Sequence, residues 1–490
     1  MSNDSDASIP TRYRPSTMSK KQIAIRFFTY GVMTIVTIVG VAVCIAWTMG
    51  YRFDIMSGQF SQVTLLQLNS FPTGASIDIN DVRISSRTTT RHNIKSGRTK
   101  VAMTLDGYQP WSKVVNARAG NIRWLDYIRL IPRGIKTDSI HAFSGVDDMV
   151  ASPDRKWAVL LLDSKQNNFS LMDVQDPKNP KWIDFSLNAD VLTVNQDNPN
   201  SQQFEVVEWN SDSRYILIKH SYGDNSEYLI YDRVDKLTRN INKDFGIALE
   251  SPHFVGAGGD LIVGLTGSDL RKIDYGNKSI SAPIASGVIS YSIYNNQLAF
   301  ISELEKNNKK EWSVSIYDGK VTEIKRYNSG SIKAAFTKTN DTDYLIIAHN
   351  QTVAVIPDPL HLVKQSESRV NQNTAYLSSP STIEWLMTSD NGRFVMFGNN
   401  NKITSYDIEE GETFSFETSL NGQPKWLDNY HLFDQDHNSI SFVEFDGQNR
   451  QTIVSGHLPA FLSNNGKYLY SLDNIAGGTV IQRSQMVIKD

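Results

Sequence analysis

Ser152-Pro153-Asp154-Arg155-Lys156-Trp157 precedes the apolar run 158–162, and the same phrase of turn then strand returns three times. It reads Ser211-Asp212-Ser213-Arg214-Tyr215 before 216–218, Ser389-Asp390-Asn391-Gly392-Arg393-Phe394 before 395–397, and Ser463-Asn464-Asn465-Gly466-Lys467-Tyr468 before 469–472. Asp, Asn and Gly favour a tight turn, and an aromatic residue suits the first position of the next strand. Further along each unit a second phrase recurs, an alternating strand that ends in Asp. It appears at Asp173, Asp232, Asp274, Asp318, Asp407 and Asp446, and another strand follows. Each unit therefore reads as an antiparallel meander of four strands.

Meanders are expected to start near Met149, Phe204, His253, Val288, Lys333, Glu384, Pro424 and Leu458. Eight units share residues 137–490, about 44 residues each, which suits a propeller blade. A propeller also removes the exposed edges that so many strands would otherwise leave. The last unit supplies only about three strands, and 138–143 is a spare strand before the first. The ring is expected to close by pairing the two. Seven blades stay open as an alternative, because the third and fifth units are irregular. The Ser-Pro-Asp-(Gly)-Lys turn resembles the blades of TolB-like propellers, with Arg155 and Ser213 standing where Gly is usual.

Upstream, residues 65–132 read as short strands with turn punctuation, a small β-sandwich of about six strands. Asn69-Ser70-Phe71-Pro72-Thr73-Gly74-Ala75-Ser76-Ile77-Asp78-Ile79-Asn80, then Gly97, then Asp106-Gly107-Tyr108 with Trp111, resemble a PEGA domain. Thr73 replaces the Glu of the Pro-Glu-Gly-Ala motif, and Asp81 replaces the usual Gly after the second strand. The resemblance implies a spacer or binding module of bacterial surface proteins and carries no catalytic residue.

Between that module and the N-terminus, 27–49 holds no charge. As a helix it would span about 34 Å, enough for the hydrocarbon core. Arg12, Arg14, Lys20, Lys21 and Arg26 precede it, and Tyr30, Trp47 and Tyr51 flank it. This predicts a single-pass transmembrane anchor, a cytoplasmic tail over 1–26, a linker over 50–64, and the bulk of the chain extracytoplasmic. A cleaved signal peptide is the alternative, but the apolar core is long for one and no Ala-x-Ala-like site follows. A lipoprotein signal at Cys44 would need a small residue where Val41 stands. Cys44 is the only cysteine, so no disulfide can form within the chain.

The net charge of −3 conceals a division. Residues 1–82 sum to +1, 83–136 to +10 and 137–490 to −14. An outward-facing basic module does not suit nucleic acid. Anionic lipid headgroups or wall polymers suit it, through Arg83, Arg87, Arg91, Lys95, Arg98 and Lys100. A solvated basic surface with no dedicated partner is the plain alternative.

No hydrolase, zinc, P-loop or dinucleotide motif is present, so the chain reads as not an enzyme and no cofactor is expected. Asp434, Asp436 and Asn438 are oxygen-bearing residues at alternate positions, a weak calcium candidate without the Gly and Glu that complete such a loop. A polar hairpin turn explains them as well. His431, His437 and His457 define no ligand spacing. Trp182, Trp209, Trp312, Trp385 and Trp426 are expected to pack between blades. Together these point to a cell-surface membrane protein whose propeller presents a face to an envelope protein, peptide or glycan. An envelope glycan-active enzyme with carboxylates at the propeller mouth is the alternative.

Overall fold

A computed structural model describes residues 19–48, 50–54, 59–194, 201–294, 297–306, 309–365, 367–420 and 422–488. The predicted cytoplasmic tail lies largely outside these residues, as does Met49. The chain forms two compact units, one from 1–105 with 110–130 and the other from 106–109 with 131–490.

The first unit opens with one α-helix, Lys20–Thr48, long and apolar enough to cross a membrane and wholly unburied. It begins at Lys20 instead of Phe27, so Lys20, Lys21 and Arg26 occupy its first turns. Its threonine hydroxyls return to the helix: Thr29, Thr34 and Thr37 each donate to the carbonyl four residues back. That leaves no hydroxyl of these three seeking a partner in an apolar medium.

The sequence places a linker at 50–64, but strands occupy most of it. Tyr51–Asp54 pairs antiparallel with the start of the long strand Gln59–Phe71. Two four-stranded sheets follow. One combines 51–54, 59–71, 90–95 and 122–129, and the other runs in the order 82–87, 76–79, 97–104, 111–117. The sandwich thus has eight strands instead of about six. Alternation decides what faces in. Leu66, Leu68, Leu125 and Tyr127 from one sheet, with Ile77, Val101, Met103, Trp111 and Val115 from the other, are all buried. The same alternation turns Lys113 inward, where its ammonium donates to Tyr127 Oη at 3.2 Å.

The second unit is a ring of eight sheets. Their first strands begin at Asp148, Gln202, Glu250, Val288, Ile332, Trp385, His431 and His457, close to the expected starts. Six of the blades are four-stranded antiparallel meanders in sequence order. Blade eight combines 457–462, 468–475 and 478–485 with Thr137–Phe143, which pairs antiparallel with the last of these. The ring therefore closes as the strand count predicted.

Blade seven departs from the pattern. Its sheet has three strands, and its innermost strand has shrunk to a single bridge, Trp426 to Leu432. Blade five inserts two short helices, 359–365 and 367–373, before its last strand. First strands of neighbouring blades approach one another, so they line the axis. The cores lie between blades. Val159, Leu161 and Phe169 of blade one pack on Phe204, Ile216 and Leu229 of blade two, and equivalent clusters follow round the ring.

The two recurring phrases form one device. Ser152 Oγ donates to Asp154 Oδ1 and accepts the Trp157 amide, and Ser389 with Asn391 and Ser463 with Asn465 repeat this. In blade two Asn210 takes the role, accepting the amides of Arg214 and Tyr215. The fourth position is left-handed in all four copies: Arg155, Ser213, Gly392 and Gly466 have φ of 55°, 58°, 74° and 66°. The Asp that ends the third strand lies opposite the aromatic residue, as Asp232 does Tyr215 and Asp407 does Phe394. It caps the next turn, and in blades two and six it also grips the preceding basic residue. Asp407 accepts the amides of Glu409 and Glu410 and pairs with Arg393 at 2.7 Å. These carboxylates are structural.

Candidate binding site at the channel mouth

Turns between first and second strands of blades one, two and six meet at one end of the channel. There a cleft of about 920 Å³ opens among blades one, two, three, four and six. Its rim carries Pro153, Ser211 and Asp390, the second residue of the turn phrase in three blades. Its wall carries Glu208 and Trp209, His253 and Phe254, and Tyr291 to Ile293.

The wall is held across blade boundaries. Trp209 Nε1 donates to the Val150 carbonyl at 3.0 Å, as Trp426 donates to Thr388 in blade seven. Glu208 accepts the Phe254 amide at 2.7 Å and meets His253 Nδ1 at 2.8 Å. The His253 ring stands edge-on to Tyr291 at 5.7 Å. Tyr291 donates its hydroxyl to the carbonyls of Ser251 and Val263. Burial, then the Glu208 charge, push that phenol well above its usual pKa, so it stays a donor. Among the described residues, Ser292 Oγ has no hydrogen-bond partner and is shielded from solvent. The cleft thus offers an aromatic lining, two carboxylates and an imidazole.

The calcium candidates have other occupations. Asp434 is buried, accepts the amides of Ser419 and Gln435, and pairs with the Arg450 guanidinium. Asp436 is exposed and meets His437 Nδ1 at 2.5 Å, at the mouth of a hairpin whose turn is His437-Asn438. Among the described residues, no group of three or more His, Cys, Asp or Glu is placed to hold a metal. The three histidines are apart in role: buried His431 on Asp428, exposed His437, and His457 near Asn474.

The six basic candidates of the small module separate between two sheets. Arg83, Arg87, Arg98 and Lys100 belong to one, Arg91 and Lys95 to the other. Arg83 is taken up by Asp78, Lys100 by Asp81 and Arg91 by Gln67. Outer faces of a sandwich point apart, so the six do not form one patch.

Residues 63–129 match the PEGA domain family. No curated protein sequence matches the chain. Solved structures of similar architecture include an oligogalacturonate lyase in complex with manganese, at 9% identity over 72% of this chain and 98% of that one, TM-score 0.41. The oligogalacturonate lyase of Vibrio parahaemolyticus is 8% identical over 72% and 99%, TM-score 0.39. The Dos1 propeller is 12% identical over 71% and 95%, TM-score 0.43. The reading of the chain as not an enzyme is withdrawn, since two of these similar structures are lyases. Together, the PEGA match, the ring of sheets and the apolar helix make this a membrane-anchored β-propeller protein.

Proposed function

We propose that the chain is an extracytoplasmic interaction protein whose propeller receives an envelope protein, peptide or glycan at the channel mouth, with the PEGA module as a basic spacer on the membrane. The cleft carries this reading. It is large enough for a short peptide or oligosaccharide and combines an aromatic lining with a few fixed polar groups. Its walls come from consecutive blades joined by hydrogen bonds, so the site is pre-formed and loses little entropy on binding.

The test is a capture experiment from solubilised native envelope with the full-length protein in detergent, comparing parent with Asp390→Arg. Asp390 is exposed on the cleft rim, where Arg would narrow the mouth and reverse its charge. The parent should enrich a ligand that the variant does not, with both melting at the same temperature. Equal enrichment by both would move the site away from the channel mouth.

A further inference from the structure

The strand register gathers basic residues at the end of the PEGA sandwich where the membrane helix enters. Two residues beyond the helix, the Gly50 carbonyl accepts the Val63 amide at 3.0 Å, and the Val63 carbonyl accepts the Gly120 amide at 3.1 Å. Val63 also lies opposite Lys95. Thr64 Oγ1 donates to the Arg118 carbonyl at 2.7 Å, and Gly97 and Arg98 pair with Ala117 and Asn116. Lys95, Arg98 and Arg118 therefore share one level with the helix exit, and all three side chains are exposed. Beside them the outer face presents Tyr51, Ile122 and Trp124, 40%, 48% and 42% exposed.

One carboxylate of the module is engaged and another stands far along its strand. Asp81 is held by Lys100 at 2.8 Å. Asp126 follows Gly120 by six positions along an extended strand, about 20 Å further on. Cations flanked by amphipathic aromatic and aliphatic groups, at the exit of an apolar helix, match the headgroup layer in charge and polarity.

We propose that this end of the sandwich, through Lys95, Arg98, Arg118, Ile122 and Trp124, rests on anionic lipid headgroups. The proposal rests on the reading of Lys20–Thr48 as a membrane anchor. It selects Lys95 and Arg98 from the six basic candidates and adds Arg118. Such contact would fix the tilt of the module on the bilayer instead of leaving it on a swivel. Each basic residue near an anionic surface strengthens the contact about fivefold, so the three together supply about a hundredfold.

The test uses the full-length protein in vesicles, with a bimane label on one cysteine at a time. The label on native Cys44 reports the anchor. Labels at Ile122→Cys and Thr73→Cys, each with Cys44→Ser, report the two ends of the sandwich. Thr73 lies just past Phe71, the far end of the strand that contains Val63, about 26 Å away. Acyl-chain spin-labelled lipid should quench at Cys44 in any vesicle; loss of that signal would refute the anchor and with it the proposal. With Cys44 quenched, headgroup spin-labelled lipid should quench position 122 several-fold more than position 73 in phosphatidylglycerol vesicles. The difference should shrink in phosphatidylcholine, in high salt, and in the Lys95→Gln, Arg98→Gln, Arg118→Gln triple variant, whose fold the label at 73 controls. Equal quenching at 122 and 73, or a difference insensitive to lipid charge, would overturn the proposal. So would a difference abolished by added polyglycerol phosphate at constant ionic strength, which would assign the cations to a wall polymer.

Discussion

Glu227→Gln should unfasten the connection between blades one and two. Glu227 sits on the third strand of blade two, 1% exposed. Its carboxylate accepts the Thr193 amide at 2.8 Å, the Thr193 hydroxyl at 2.6 Å and Asn240 Nδ2 at 2.8 Å, and meets His220 Nδ1 at 2.9 Å. Thr193 belongs to the chain that leaves blade one. Asn240 also donates to the Val191 carbonyl and accepts the Lys243 amide, capping the short helix that follows. One carboxylate thus ties a connector, two strands and a helix start. Burial raises its pKa, but the bonds from His220, Thr193 and Asn240 outweigh that and hold it at about 2, against an ordinary 4.5. That difference corresponds to about 3 kcal/mol. An amide in its place would turn two N–H groups toward donors, and breaking a buried charged contact costs about 3–5 kcal/mol. Thermal unfolding of the full-length protein in detergent at pH 7 should show a Tm lower by roughly 3–6 °C. Amide exchange should accelerate at 189–194 and 240–243. The sign with pH is fixed: a depressed carboxyl stabilises fully above about 4.5 and loses that contribution as pH falls toward 2. The gap between parent and variant should therefore close across that interval. A variant with unchanged Tm and unchanged exchange at 189–194 would refute the role given to this network.

Asp407→Ala should cost about 3–5 kcal/mol, because the buried Arg393 is left with the Glu409 carboxylate and the amides of Glu409 and Glu410 lose their acceptor, measured by urea unfolding. Gly392→Ala should destabilise strongly, because φ is 74° and an added Cβ would stand 2.1 Å from the Lys338 carbonyl of the neighbouring blade. Arg155→Gly at the same turn position should change stability by less than about 1 kcal/mol, since a side chain is already accommodated there. Deleting 137–143 should leave Gly478–Gln485 as an unpaired edge, seen as early proteolysis after 455 and as concentration-dependent association. An intact, monomeric ring after that deletion would mean that closure does not depend on the strand.

The blades were legible because their marks are local. A Ser or Asn that accepts the amide five residues on, a left-handed fourth position and an Asp opposite the aromatic residue all fall within one hairpin, so each copy spells its own fold. Arg155 and Ser213 hold left-handed φ without Gly because the turn's hydrogen bonds impose it. Blade seven was harder. Trp426-Leu427-Asp428 makes one bridge instead of a strand, and only its neighbours reveal that it occupies a strand's place. The linker reading at 50–64 failed for a related reason: 51–54 becomes a strand only because 59–62 returns beside it. A charge count likewise could not separate Lys113 from the basic surface. The alternation of Trp111, Lys113 and Val115 on one buried face does so, once the strand is placed.

The cleft was not legible as a motif, because Glu208, His253 and Tyr291 come from three blades and none is unusual in its own segment. The signal lay between copies. Pro153, Ser211 and Asp390 occupy one column of the turn phrase, and Glu208 and His253 each stand immediately before the last residue of a first strand. Superposing the repeats and asking which columns carry polar or aromatic side chains toward the axis would have pointed to this end of the channel. In a ring built from copies of one hairpin, structural residues recur in register, as the Ser and Asp of the turns do. The residues free to serve a ligand are those whose column changes from blade to blade. Pro153, Ser211 and Asp390 differ in chemistry at one geometric position, which gives the mouth an asymmetric wall. An asymmetric wall on a rigid ring is what selection of one ligand orientation requires.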